Sequence, residues 1–156
     1  MKRATVFIIF ITLALSGSAF AQGKPDFSGT WTLDMAKSDM GQGRPSAGTR
    51  KVILVIKQTP AVLTIERKVS ERSETATQKL DGSESINKSP SGQDIKSTSR
   101  WVGATLITKS IMTTGNGTAE MSDARSLSAD GKVMTLDVTR KTDRGDVKQK
   151  LIYNKE

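Results

Sequence analysis

Pro25-Asp26-Phe27-Ser28-Gly29-Thr30-Trp31-Thr32-Leu33-Asp34 is the stretch from which the fold can be read. Phe27, Trp31 and Leu33 are its large apolar groups, in a neighbourhood otherwise small or polar. Trp31, Leu33 and Gly29 alternate with Thr30 and Thr32, the pattern of a half-buried strand. Gly29 has no side chain, so another backbone or the indole of Trp31 can approach it closely. The chain has two Trp, and Phe27 is the only Phe beyond residue 21. A buried aromatic ring removes on the order of 150–250 Å² from water, so this stretch is expected to plug one end of the core.

Outward from it the same period recurs. Residues 51–58 (Lys-Val-Ile-Leu-Val-Ile-Lys-Gln) are continuous and β-branched, and are expected to form the most buried strand. Thr59-Pro60-Ala61 turns the chain, and 62–69 return with Leu63, Ile65, Arg67 and Val69 on one face. From 70 to 100 the composition becomes Ser- and Thr-rich. Residues 71–80 carry only Ala76 and Leu80 as apolar groups, and 83–89 only Ile86. Asp81-Gly82 and Ser89-Pro90-Ser91-Gly92 are turn signals on either side. Residues 95–102 place Ile95 and Trp101 on a face with Ser97 and Ser99. These weakly apolar strands read either as a thin wall against a polar interior or as a projection beyond the core. The apolar pattern recovers at 105–112, at 118–127 (Met121, Asp123, Arg125, Leu127), at 133–141 (Met134, Leu136, Val138) and in the last strand (Val147, Gln149, Leu151, Tyr153).

No segment shows a helical period. About eight to ten short strands, separated by tight turns at spacings of roughly 8–12 residues, indicate an all-β sandwich or barrel. Connections of hairpin length make consecutive strands pair, so the expected fold is an antiparallel up-and-down meander barrel, which closes without edges. The exception is the Gly-, Ser- and Pro-rich segment 35–49, long for a connection and read as a lid or a loose link.

The run Asp26-Phe27-Ser28-Gly29-Thr30-Trp31-x-Leu33, with Lys37-Ser38 following, resembles the first motif of the lipocalin and fatty-acid-binding (calycin) families. It also looks like that of small exported bacterial proteins described as lipocalin-like. The chain lacks the Thr-Asp-Tyr element and the cysteines of many lipocalins. The resemblance implies a barrel of this kind and a basic residue packed on the motif Trp31, for which Arg125 and Arg140 are both candidates.

Composition bounds compartment and chemistry. Lys2 and Arg3, an apolar run over 4–15, and Ala19-Phe20-Ala21 describe a signal peptide cut between Ala21 and Gln22. That leaves 22–156 as a single lipocalin-like barrel domain, periplasmic or secreted. Nothing after the signal approaches the roughly 20 apolar residues of a membrane helix. The net charge of +8 falls to +6 when Lys2 and Arg3 leave. The remaining basic residues are scattered and aromatics are few, so nucleic acid is not an expected partner.

With no Cys and no His, imidazole and thiolate metal sites are excluded and no disulfide holds the fold. A hydrolytic triad lacks its base. The acids are spread over exposed faces and turns, and no Gly-rich phosphate loop precedes a helix. The chain therefore reads as a non-enzyme without metal or cofactor.

The distinctive feature is the charge or amide within otherwise apolar rows. If those rows face a lumen, Arg67, Gln78, Arg125, Gln149 and Tyr153 point inward with Trp101 and Met121. A buried Arg costs several kcal/mol unless paired, so it calls for Asp123, water or an anionic head group. The first reading is an exported binder of a small apolar or amphipathic ligand, anionic ones included. An alternative is an envelope-associated interaction protein with a filled core, meeting partners through its polar hairpins at 70–100. An eight-stranded barrel can just hold one small ligand or be filled by its own side chains.

Overall fold

The computed structural model describes residues 23–41, 51–115, 117–142 and 145–156. The expected signal peptide over 1–21 lies outside them, as does most of the loop over 35–49. Ten strands follow in order: β1 (Gly29–Leu33), β2 (Val52–Gln58), β3 (Val62–Val69), β4 (Arg72–Lys79), β5 (Glu84–Lys88), β6 (Asp94–Val102), β7 (Thr105–Thr114), β8 (Gly117–Leu127), β9 (Val133–Thr142) and β10 (Gly145–Lys155). They form one antiparallel sheet in the order β4-β3-β2-β1-β10-β9-β8-β7-β6-β5. The fold is thus an up-and-down, nearly closed barrel of the lipocalin-like type. Among the described residues no helix is long and apolar enough to cross a membrane.

Closure comes from β1. Its Trp31 faces Leu54 of β2 on one side and Lys155 of β10 on the other. The expectation that consecutive strands pair fails at one place, between β4 and β5. Their backbones exchange no ladder; side chains of β5 stand in for it. The Thr77 amide donates to Asn87 Oδ1 (2.8 Å), Asn87 Nδ2 donates back to the Thr77 carbonyl (3.0 Å), and the Lys79 amide donates to Ser85 Oγ (2.8 Å). A side chain reaches farther than a backbone carbonyl, so these bonds span a wider gap and give the Thr77 amide and carbonyl and the Lys79 amide their partners.

β2 is the most buried of the strands, as its composition indicates, although one face carries most of that burial. Val52, Leu54 and Ile56 are buried, but Ile53 and Val55 on the outer face are only half-buried. Their cross-strand neighbours Lys68 and Glu66 shield them with aliphatic stems rather than with a second apolar layer.

The barrel has two unlike ends. At the lower end, with the turns at 59–61, 80–83, 103–104 and 128–132, residues 25–28 cross beneath the strands. Gln58 fastens them: its Oε1 accepts from the Phe27 amide (3.0 Å), its Nε2 donates to the Pro25 carbonyl (2.9 Å), and its own amide donates to Ser28 Oγ (3.1 Å). Phe27 is 0% exposed and stacks on Trp101, with ring centroids 5.8 Å apart and planes 6° from parallel. Trp31 Nε1 donates to the Phe27 carbonyl at 2.9 Å. The opening stretch is therefore the plug its composition indicates.

At the upper end the described part of the long connection lies along β10. Asp39 and Lys150 exchange both backbone hydrogen bonds at 2.8 Å, and Ser38 Oγ accepts from the Ile152 amide at 2.9 Å. Within this strap Gly41 has a φ of +72°, and an added Cβ would lie 2.3 Å from the Lys148 carbonyl oxygen. Only glycine fits there.

Candidate functional site

Period-two alternation turns every second residue of each strand into the barrel, and burial along those inner rows falls from the lower end to the upper. On β3, Leu63 and Ile65 are buried while Arg67 is exposed; on β9, Met134 and Val138 are buried while Arg140 is exposed. On β8 the buried pair is Asp123 and Arg125, with Met121 half-buried above them. The barrel is filled below and opens above.

Its inner surface is divided. Strands β1, β2, β3 and β9 contribute Trp31, Leu54, Ile56, Leu63 and Met134, all buried. Strands β4 to β8 contribute Gln78, Ser85, Ser97, Ser99, Thr108 and Asp123, buried as well, with Leu106 of β7 as a buried apolar member among them. Ser99 Oγ and Thr108 Oγ1 share a hydrogen bond of 3.0 Å, and Thr108 Oγ1 lies 3.4 Å from Gln78 Oε1. The Ser- and Thr-rich strands are thus a wall of the barrel facing a polar interior, not a projection from it.

Arg125 stands at the centre. Its Cζ lies 5.8 Å from the centre of the Phe27 ring, so the plug covers the guanidinium from below. Leu106 and Leu136 flank it on β7 and β9. Its Nη2 is 3.7 Å from Asp123 Oδ2, an ion pair too long for a hydrogen bond, with side chains 5% and 9% exposed. Among the described residues, Arg125 Nε and Nη1, Asp123 Oδ2 and Trp101 Nε1 are buried without a hydrogen-bonding partner.

Burial lifts the Asp123 carboxyl above the usual carboxylate range, with Arg125 opposing the shift. Burial also lowers the Arg125 guanidinium from its ordinary value, against the charge of Asp123 and then Tyr153. Tyr153, buried on β10, is pushed up by its burial and held back by the nearby charges of Arg67 and Arg125.

The structure gathers the sequence candidates unevenly. Arg125, Tyr153 and Gln78 are buried in the inner rows, and Trp101 and Met121 are half-buried beside them. Arg67 is on the inner face by register but reaches solvent at the open end. Gln149 donates its Nε2 to the Met40 carbonyl at 2.8 Å, which commits that group to the strap. Neither Arg125 nor Arg140 sits on the motif Trp: Lys155 Nζ lies 5.2 Å from the centre of Trp31, and its Cε is 2.7 Å from where a Cβ on Gly29 would be. Gly29 thereby makes room for the lysine that covers the indole. Sequence reasoning missed Thr108 and the use of Asn87 and Ser85 as bridges. The signal for Thr108 was its place in the inner row of β7, two residues from Leu106.

By sequence the chain matches no protein-family model and no curated protein. By shape it is similar to solved barrels of almost its own length. Human cRBP IV superposes with a TM-score of 0.64 at 21% identity, over 85% of this chain and 99% of that one. A protein described as REP1-NXSQ fatty acid transporter gives 0.60 at 18% identity, over 83% and 95%. The likeness is one of fold.

Proposed function

We propose that the protein is a non-catalytic binding protein that holds a small apolar or amphipathic molecule in the barrel, with the polar end of that molecule against Arg125. The observation that carries this reading is the buried guanidinium with two unused donors. Leaving such groups unpaired is costly, and a ligand acceptor removes that cost. The half-buried side chains beside it, Leu136 and Leu151, and those farther up the inner rows, Met121 and Met112, suit an apolar tail. One structurally similar protein is named as a fatty acid transporter, which supports the same reading. In this reading residues 1–21 are an export signal and binding takes place in the periplasm or outside the cell.

The test is titration with a fluorescent lipophile whose emission rises in apolar surroundings. Saturable binding of one molecule per chain is expected, weakened about tenfold or more by Arg125→Leu, since a hydrogen bond to a charged donor contributes roughly 1.5–3 kcal/mol. Binding that does not saturate, or that Arg125→Leu leaves unchanged, would remove the assignment.

A second reading rests on the outer face. Ile86 and Ile111 are 59% and 47% exposed, and both pair across strands with Lys96. Deleting 89–93 at the end of that face should abolish recovery of a protein partner if the barrel is an interaction module.

A further inference from the structure

The charge at the base of the site is balanced before any ligand arrives. Asp123 and Arg125 are two residues apart on β8, so both side chains leave the same face, about 7 Å apart along the strand. Together they offer a ligand two unused donors, Arg125 Nε and Nη1, and one unused acceptor, Asp123 Oδ2. A carboxylate could satisfy the donors only. It would leave Asp123 Oδ2 without a partner and bring a third charge into a buried site whose charges already cancel. A head group with an oxygen acceptor beside an N–H or O–H donor would serve both residues and add no charge.

We propose that the Arg125–Asp123 pair selects a lipophile whose head group is uncharged and carries one acceptor next to one donor, such as a primary amide or an un-ionised carboxylic acid. A carboxylate then enters only together with a proton. This inference rests on the reading of the barrel interior as a binding site.

The surroundings leave the pair to itself. Opposite Asp123 stand Thr108 of β7 and Val138 of β9, neither of them charged. The next member of the β9 row, Arg140, is exposed, and so is Arg67 of β3, whose charge bears on Tyr153. Solvent screens both cations. Among the described residues Tyr153 of β10 is the other titratable group that bears on Arg125, and its burial favours its neutral form. Asp123 is the group fitted to take the proton, since burial already favours its neutral form. When it does so, its O–H becomes a donor to the incoming carboxylate, and the charges cancel again.

The experiment is isothermal titration calorimetry of the unmodified chain with a medium-chain fatty acid and with its primary amide of equal length. It is run between about pH 5.5 and 8, in buffers of different ionisation enthalpy. Amide binding is expected to be independent of pH and of buffer. Acid binding should take up about one proton per ligand wherever the free ligand is ionised, and its affinity should fall about tenfold per pH unit there. Asp123→Asn should abolish the proton uptake and make the carboxylate the tighter ligand. The measurement on the unmodified chain decides the matter even if that variant does not fold. A carboxylate that binds as tightly as the amide, without proton uptake, overturns this inference and leaves the binding site standing. Failure of both ligands to bind overturns the binding site, and this inference with it.

Discussion

Replacing Phe27 by Ala removes the ring that closes the lower end of the barrel. The ring is wholly buried, stacked on Trp101 and lying beneath Arg125. Taking about 150 Å² of apolar surface at about 25 cal/mol per Å² gives a loss near 4 kcal/mol. Measured Phe→Ala changes in cores fall at about 3–5 kcal/mol. The ring contacts are inside that figure, not additional to it. A domain of this size is stable by about 5–15 kcal/mol, so the change should take away between a quarter and most of its stability.

The assay is urea unfolding followed by far-UV circular dichroism. With an m-value of about 2 kcal/mol/M, the midpoint should fall by about 2 M. Phe27→Leu keeps most of the volume and should lose only about 1.5 kcal/mol. Tryptophan emission gives a second reading, because Trp101 exchanges a stacked ring for water and its emission should move to the red. An Ala variant within about 1 kcal/mol of the parent, with unchanged emission, would refute the plug.

The buried pair supplies the next expectation. Asp123→Leu alone strands Arg125 and should cost about 3–5 kcal/mol, whereas Asp123→Leu combined with Arg125→Met should return to within about 1 kcal/mol of the parent or exceed it; denaturant unfolding of the three chains measures this. Acidity acts on Asp123 with a definite sign. Its carboxyl is raised on folding, so its contribution is full below the ordinary carboxylate value and is lost as pH rises through the folded value. The exposed carboxyls of Asp34, Glu66 and Glu120 are lowered by hydrogen bonds from Asn154, Ser73 and Lys141, and act in the opposite direction. The parent should therefore gain on Asp123→Asn as pH falls toward the ordinary carboxylate range, and a constant gap in unfolding free energy would contradict the assignment. Asn87→Ala removes both bonds that it makes to Thr77. It should cost about 1–2 kcal/mol and speed hydrogen exchange at the Thr77 amide by a matching factor; unchanged exchange would mean that the side chain does not bridge β4 and β5.

Alternation made most of the strands legible, because period two survives whatever the residues are. What alternation leaves open is the polarity of the side it buries. In β6 the inner row holds Ser97 and Ser99, and in β5 it is Ser85 that turns inward while Ile86 turns to solvent. The usual correspondence of apolar with inside is inverted there, since Ser99 pairs with Thr108 of β7 and Ser85 accepts from the Lys79 amide of β4. Arg125 was legible because it interrupts a row running from Met121 to Leu127 on a strand that had to pair on both edges. Arg67 interrupts a similar row but sits nearer its open end, and nothing in the sequence says where a barrel stops being filled. Lys155 was missed because its role depends on the register of β10 against β1, a pairing between the two ends of the chain. The open seam between β4 and β5 was hidden by Asp81-Gly82, a turn signal that reports a reversal of the chain without reporting whether the strands beyond it touch.

The most direct measurement is native mass spectrometry of the folded protein as purified, and again after organic extraction and addition of medium- and long-chain lipophiles. A discrete adduct of one small molecule per chain, lost on extraction and regained on addition but not regained by Arg125→Leu, is the predicted result. A bare polypeptide before and after addition, under conditions where the barrel stays folded, would contradict the account.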